Sequence, residues 1–194
     1  MIQEDLLGPR FSAALSLANE LHGSQKRKGT AVPYISHLLA VASLVIEAGG
    51  DEDTAIAALL HDTMEDQGGR PMLDRIRARF GPKVADIVEA CSDTDVTPKP
   101  PWLERKQGYL AEIPHKSEEA LLVSLADKVH NAGTILRDHK RVGEEVWTRF
   151  TSGRDGTLSY YRALADAFKG LAPEPLWQEL EDTVTQLEAR AAAG

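Results

Sequence analysis

The stretch "LLHDTMEDQGG", residues 59–69, places four ionisable side chains directly after an apolar pair. His61 and Asp62 follow two leucines, and Glu65 and Asp66 come one helical turn later. An imidazole nitrogen beside a carboxylate oxygen suits manganese, iron, magnesium or zinc. Adjacent helix positions point about 100° apart, so both side chains can reach one ion only beside a helix end or in a cleft. The stretch therefore indicates a metal site.

Two residues elsewhere in the chain can complete such a site. His37 follows a "PYIS" turn, and Asp127 follows the apolar run "LLVSLA", where a carboxylate is costly to bury without a strong partner such as a cation. Each also has an ordinary structural interpretation, since His37 can cap or pack a helix and Asp127 can pair with Lys128 or Arg137. The predicted mixed nitrogen–oxygen metal ligands are His37, His61, Asp62 and Asp127.

The acidic pair Glu65 and Asp66 predicts proton chemistry beside the metal. A carboxylate there can orient a water, take its proton or protonate a leaving group. The alternative is a helix that simply ends in acidic residues, which opposes the helix macrodipole. Because the third helix is expected to continue to Gly68 and Gly69, this arrangement would cost stability, and the functional interpretation is preferred.

A basic run, "QKRKGT" at residues 25–30, precedes His37 by a few positions. Lys26, Arg27 and Lys28 on a loop offer the charge and the hydrogen-bond donors that phosphate groups require. Such a run in isolation is usually a solvated loop. Its place beside the predicted metal site favours a local positive funnel for an anionic substrate.

Composition narrows the class of protein. The 194 residues are 42% hydrophobic, enough for one core, and 22 Lys and Arg against 30 Asp and Glu give a net charge of −8. This balance argues against a nucleic-acid binder or a membrane-surface binder. A single cysteine, Cys91, favours a reducing compartment. Because the acidic start resembles no secretory signal and no stretch approaches ~20 apolar residues, we expect a cytoplasmic protein.

The elements that position these residues are predicted to be helices. Apolar side chains recur at helical spacing, and strand-like alternation is scarce. The first helix should end near His22, the second should begin at His37, and Asp51 or Asp53 should cap the third. The remaining helices are expected at about 72–80, 83–91, 102–113, 118–138, 143–168 and 174–191.

The motifs also carry a family resemblance. In order they are "FSAALSLANELHGSQKRKGTAVPYISH", "AALLHDTMED", "RFGPKVADIVEACSD", "LERK" and "SLADKVHNAGTILRD". This series resembles the HD-superfamily hydrolase domain of RelA/SpoT proteins, and within it the stand-alone small alarmone hydrolases of the metazoan SpoT-homolog type. The resemblance covers roughly residues 10–170. It implies an all-α HD-domain helical bundle over residues 1–194, with a core at about 10–170 and a C-terminal helix at about 174–191.

The resemblance further implies site residues and a reaction. One manganese ion is expected on the four ligands named above, and the catalytic acidic pair falls on Glu65 and Asp66. Substrate contacts are expected from Arg27, Lys28, Asn131 and Tyr160. The implied reaction removes the 3′-pyrophosphate of a small-molecule nucleotide such as ppGpp, and no synthetase domain fits in this length.

Some alternatives stay open at this stage. Leu38 follows His37 where these hydrolases commonly have proline, and the segment "VTPKPPW", 96–102, is altered where they usually offer a lysine. Lys99 or Lys106 can replace that lysine. Adenosine alarmones are an alternative to guanosine ones, and a deoxynucleoside monophosphate or NADPH is an alternative substrate. A non-catalytic nucleotide-sensing HD module is the alternative outside enzymes, although such a module is expected to lose ligands or the acidic pair, and all six residues are present.

Overall fold

The computed structural model describes residues 6–93 and 98–193, and these residues are mostly helical with no β-strand among them. The predicted all-α class is confirmed. The helices are α1 Pro9–Leu21, α2 Ile35–Glu47, α3 Glu52–Leu60, α4 Thr63–Asp66, α5 Gly69–Phe80, α6 Pro82–Cys91, α7 Trp102–Glu112, α8 Glu118–Val142, α9 Gly153–Phe168 and α10 Glu174–Ala193. Two 3₁₀ segments cover Ile113–His115 and Gly143–Arg149.

The chain forms two compact units, residues 1–99 and residues 100–194. The first contains α1 to α6, and the second contains α7 to α10 with both 3₁₀ segments. Within the described ranges, no helix combines the length and the apolar character that a membrane crossing requires.

Helix α3 is the centre of the first unit. Every residue from Thr54 to Leu60 is buried, and α3 contacts α1, α2 and α6. A helix that is apolar on all sides belongs in a core. The two leucines that precede His61 are therefore core residues, and their packing fixes the end of α3 where the ionisable residues begin.

The end of α3 differs from the sequence-based prediction. The helix stops at Leu60 instead of continuing to Gly68, and the separate four-residue helix α4 begins at Thr63. Asp62 has φ −90° and ψ −3°, outside regular helical values. The break places Glu65 and Asp66 in the single turn of the four-residue helix α4, so they do not stand at the C-terminal end of the long helix that the sequence suggested. The predicted conflict with the macrodipole was therefore wrong.

Other boundaries shift more modestly. Helix α2 begins at Ile35, two residues before the predicted start at His37. The predicted helix 143–168 is divided into the 3₁₀ segment Gly143–Arg149 and helix α9, which begins at Gly153 with φ 64°, a conformation that glycine adopts without strain. Residues 96–97 of the altered segment 96–102 lie outside the described ranges.

The second unit is built around α8, which contacts α9, α10 and the segment Gly143–Arg149. Trp177 of α10 donates its indole N–H to the carbonyl of Ala165 in α9 at 2.8 Å. Arg162 of α9 binds Glu181 and Glu188 of α10 at 2.7 and 2.8 Å. These contacts join α9 to α10 beside α8, the helix that carries Asp127.

Asp51 caps the N-terminus of α3. Its carboxylate accepts from the Thr54 amide at 2.9 Å and from Lys83 at 2.8 Å, and the hydrogen bonds from Lys83 and Thr54 lower the pKa of Asp51 to about 2. Asp51→Ala should lower the free energy of unfolding at neutral pH by about 1 kcal/mol, as measured by urea denaturation. Because the folded-state pKa is depressed, part of this difference should vanish as the pH falls from about 4 towards 2.

Asp51→Asn is the matched control for this change. It keeps an acceptor for the Thr54 amide and loses the attraction to Lys83, so its loss at neutral pH should be smaller than that of the alanine variant. This smaller loss should vanish as the pH falls and Asp51 of the natural protein is protonated. Equal stability of the alanine variant and the natural protein would contradict the capping role.

Candidate metal centre and phosphate-binding loop

His61 follows the last residue of α3, and its ring orientation is fixed by the backbone. Its Nδ1 lies 2.8 Å from the carbonyl oxygen of Ala58. A carbonyl only accepts hydrogen bonds, so Nδ1 carries the proton and Nε2 carries the lone pair. This backbone contact is the usual way in which a metal-binding histidine is held in one tautomer.

Asp62 lies against two imidazoles. Its Oδ2 is 3.1 Å from Nε2 of His61 and 3.5 Å from Nε2 of His37, and the two rings are 5.2 Å apart. Both histidines are buried. A lone-pair nitrogen and a carboxylate oxygen repel each other at this distance unless a proton or a cation is shared between them. Two imidazoles and a carboxylate are a donor set that fits a divalent transition metal.

The carboxylate of Asp62 is also held from the side of the basic loop. The hydroxyl of Tyr34 donates to Oδ2 at 2.6 Å. Burial would raise the pKa of Asp62, but positive charge on the imidazoles of His61 and His37, such as a shared proton supplies, lowers it well below its usual range. Asp62 is therefore ionised at neutral pH and available as a ligand.

Glu65 and Asp66 have different surroundings. Lys99 donates to Oε1 of Glu65 at 2.6 Å, while burial and the nearby charge of Asp93 raise the pKa of Glu65. Asp66 is exposed, and its Oδ2 accepts from the amide of Gln25 at 2.8 Å. A raised pKa brings Glu65 nearer to the range in which a carboxyl exchanges protons at neutral pH.

The basic loop, residues 25–34, is closed on itself. Arg27 donates its backbone N–H to Val32, and Tyr34 donates its own to Gln25, each at 2.9 Å. The guanidinium of Arg27 lies over the Tyr34 ring, 5.6 Å from its centroid, whereas Lys28 is exposed. Arg27 is thus held on the ring whose hydroxyl binds Asp62.

In the second unit, Asp127 is buried on α8 with two donors. Lys128 donates to Oδ2 at 2.6 Å, and Asn131, one turn later, donates to Oδ1. Burial would lower the pKa of Lys128, but Asp127 and the hydroxyls of Tyr109 and Tyr160 raise it well above its usual range. Lys128 therefore stays charged beside the carboxylate of Asp127.

Tyr160 lies in an aromatic cluster of the second unit. Trp102 meets its ring edge to face at 5.8 Å, and the ammonium of Lys106 lies 5.3 Å from its centroid. The two lysines that the sequence left as alternatives thus have different neighbours: Lys99 contacts Glu65, and Lys106 contacts Tyr160.

Sequence reasoning missed Gln25 and Tyr34, whereas it named Lys128 as a possible partner of Asp127, and the structure contains that ion pair. Tyr34 stands in the "PYISH" turn that was used to identify His37, and Lys128 directly follows Asp127. Gln25 opens the basic run but carries no charge. Tyr34 could have been found by asking which hydrogen-bond donors lie beside each proposed metal ligand.

The sequence model of the HD domain matches residues 14–158 of this chain. The chain belongs to the HD domain family. This family, the all-α fold, and the paired imidazoles with their carboxylate define a divalent-metal-binding class of protein.

Several proteins similar to this chain are named for the hydrolysis of a 3′-pyrophosphate. A guanosine-3′,5′-bis(diphosphate) 3′-pyrophosphohydrolase MESH1 from Xenopus tropicalis is 39% identical over 81% of this chain and 82% of its own length. The Homo sapiens protein of the same name is 37% identical over the same shares of the two chains. A solved structure titled as a metazoan ortholog of SpoT that hydrolyses ppGpp superimposes with a TM-score of 0.78 at 28% identity, covering 94% of this chain and 98% of that one.

The paired imidazoles generate a prediction about metal binding. His61→Ala should weaken Mn²⁺ binding roughly 10-fold or more, measured by calorimetry, because the change removes a nitrogen donor outright. The helical circular dichroism should persist, since the core residues of α3 before His61 are unchanged.

His115→Ala is the control, because His115 is an exposed histidine in the second unit. Its Mn²⁺ affinity should match that of the natural protein. Unchanged Mn²⁺ affinity in the His61 variant would refute the metal assignment.

Proposed function

We propose that this protein is a metal-dependent phosphohydrolase that removes the 3′-pyrophosphate of guanosine alarmones such as ppGpp and releases pyrophosphate. Membership of the HD family and the reaction named for its similar proteins support this function. The net charge of −8 favours a nucleotide substrate over a nucleic acid. A cytoplasmic role in the stringent response is part of the same proposal.

The contacts of Tyr34 support this function most directly, because they connect the basic loop to the metal centre. Arg27 lies on Tyr34, and the hydroxyl of Tyr34 binds Asp62. A guanidinium suited to phosphate oxygens is thereby tied to the carboxylate of the metal centre. A substrate that presents several phosphates can occupy both features at once, which a substrate with a single phosphate cannot.

The metal centre is proposed to hold one manganese ion on His37, His61, Asp62 and Asp127. The first three meet within the first unit, and the burial of the Asp127 carboxyl beside the ammonium of Lys128 supports its inclusion. When bound, the cation supplies Lewis acidity and neutralises phosphate charge.

Glu65 and Asp66 are proposed as the catalytic acidic pair. The raised pKa of Glu65 supports a role in accepting or returning a proton, and the ammonium of Lys99 keeps its carboxylate oriented. Asp66 is held by Gln25, which supports a role in orienting the attacking water or the leaving group.

Four residues are proposed to bind the nucleotide: Arg27, Lys28, Asn131 and Tyr160. Arg27 offers a bidentate fork and Lys28 a compact charge beside it. The ring of Tyr160, flanked by Trp102 and Lys106, offers an aromatic surface on which a base or sugar can pack. We further propose that residues 1–194 act as one hydrolase domain, since the family match at 14–158 draws on both compact units.

A nucleotide panel followed by ³¹P NMR tests this function. The panel contains ppGpp, pppGpp, their adenosine counterparts, a deoxynucleoside monophosphate and NADPH. Pyrophosphate release from the 3′ position of ppGpp is expected. Release of phosphate only from the monophosphate or NADPH would show that the protein is a phosphohydrolase with a different substrate. Binding of ppGpp without turnover would indicate a sensing module.

Glu65→Gln should cut kcat by about 10²-fold while the Mn²⁺ affinity and KM change little, because an amide cannot accept a proton. Glu65 must be ionised to act as a base, so the activity of the natural protein should fall as the pH drops through its raised pKa. That acidic limb of the pH–rate profile should be absent in the variant.

Glu47→Gln is the matched control, since Glu47 is an exposed carboxylate on α2 whose partner is Ser43. It should leave kcat and the profile unchanged. An unaltered acidic limb in Glu65→Gln would remove Glu65 from the proton-transfer role.

Arg27→Ala should raise KM for ppGpp roughly 10- to 100-fold, because a hydrogen bond to a charged group contributes about 1.5–3 kcal/mol. KM for a nucleoside monophosphate should change far less. Arg27→Lys should recover part of the loss, since the charge returns without the fork.

Arg79→Ala is the control, because Arg79 is an exposed arginine whose guanidinium lies over Phe80 at 5.3 Å. Its KM values should equal those of the natural protein. If Arg27→Ala also leaves every KM unchanged, the basic loop is a solvated surface without a substrate role.

A further inference from the structure

His22, the residue after α1, is a buried histidine that the proposed reaction does not use. It is 1% exposed, although the sequence offered no reason to single it out. Its Nδ1 lies 2.7 Å from Oε1 of Gln25, and its ring stacks on Tyr34 with centroids 5.2 Å apart and planes inclined by 20°. A buried ring with these two neighbours contacts both ends of the basic loop.

Each neighbour of His22 ends on a carboxylate of the candidate site. Gln25 donates from Nε2 to Oδ2 of Asp66 at 2.8 Å. Tyr34 donates from its hydroxyl to Oδ2 of Asp62 at 2.6 Å. Two short chains of contacts therefore start at one imidazole, one reaching the acidic pair and the other reaching the metal centre.

The direction of each hydrogen bond in the first chain is set by its end point. An ionised carboxylate only accepts, so the amide nitrogen of Gln25 faces Asp66 and the amide oxygen faces His22. His22 must then carry its proton on Nδ1 and donate it. Gln67 donates to the same oxygen of Gln25 at 3.2 Å, which reinforces this orientation.

We infer that His22 is a positioning residue that orients Asp66 through Gln25 and Asp62 through Tyr34. This inference rests on the proposed function for the roles of the two carboxylates. Groups that hold metal ligands and catalytic carboxylates in one orientation typically contribute 10- to 100-fold to metal affinity or activity. His22 also holds the ring on which Arg27 lies, so the phosphate-binding loop shares the same support.

Two substitutions separate the two chains of contacts. His22→Phe keeps a ring to stack on Tyr34 and removes the donor to Gln25. His22→Asn keeps a donor near the position of Nδ1 and removes the ring. The first should lower kcat for ppGpp about 10-fold with near-normal Mn²⁺ affinity, and the second should raise the Mn²⁺ dissociation constant several-fold with a smaller loss of kcat at saturating metal.

Gln25→Ala and Tyr34→Phe break the same chains without altering the buried histidine, so they keep the test valid if a His22 variant fails to fold. Gln25→Ala should reproduce the kcat defect of His22→Phe, and combining the two should add little because they break one chain. Tyr34→Phe should reproduce the weaker Mn²⁺ binding. Calorimetry with Mn²⁺ alone tests the contacts through Tyr34 without any substrate.

His139→Phe in the second unit is the control for damage to the fold. His139 is also buried, lies beside the aromatic ring of Trp147 at 5.6 Å, and pairs with Glu144 at 2.9 Å. The His139→Phe variant can be less stable than the natural protein, but its kcat and its Mn²⁺ affinity per folded molecule should be unchanged.

The outcomes separate this inference from the proposed function. If the natural protein releases no pyrophosphate from ppGpp, the proposed function fails, and the Mn²⁺ arm still tests the chain through Tyr34. If the natural protein is active, the inference is overturned by His22 variants that match the His139 control, or by additive losses in the combined His22 and Gln25 variant.

Discussion

The structure depends on the convergence of two imidazoles on the carboxylate of Asp62. Three groups that act as hydrogen-bond acceptors when deprotonated cannot stay together in a buried place without a shared positive charge. The fold maintains this arrangement through contacts on every side. Ala58 fixes the tautomer of His61, Tyr34 donates to Asp62, and the buried face of α2 carries His37. An arrangement that is unfavourable without a cation is therefore built on rigid elements that favour cation binding.

The surrounding elements can be understood as supports for this centre. Helix α3 is buried along its length, so its end is fixed by core packing, and the interruption before α4 allows successive side chains to reach one place. The basic loop is closed by its own hydrogen bonds and attached to Asp62 through Tyr34. Arg27, which is proposed to bind phosphate, and Asp62, which is proposed to bind the metal, are consequently connected through one tyrosine. In the second unit, Lys128 and Asn131 hold a buried carboxylate in one orientation on α8.

The helical class could be predicted from the spacing of apolar residues. His61 and Asp62 could be singled out because ionisable side chains directly after two core leucines indicate a functional site. The sequence could not predict that α3 stops at Leu60, since the apolar pattern continues through Met64 and gives no local signal for a break. It also overlooked Gln25 and His22. Gln25 contacts Asp66, which is distant in sequence, and His22 contacts Tyr34 by ring stacking, which involves no charge. Residues that act through a neighbour leave a weaker pattern than residues that act directly.

The central claim is that His37 and His61 share a divalent cation with Asp62. Pulsed electron paramagnetic resonance of the protein loaded with one equivalent of Mn²⁺ tests it directly, because directly bound imidazole nitrogens produce ¹⁴N modulation that water and carboxylate oxygens do not. We expect modulation from two imidazole nitrogens, reduced to one in a protein that lacks the ring of His61. A spectrum identical to that of hexaaqua manganese, or nitrogen coupling that survives loss of both rings, would contradict it.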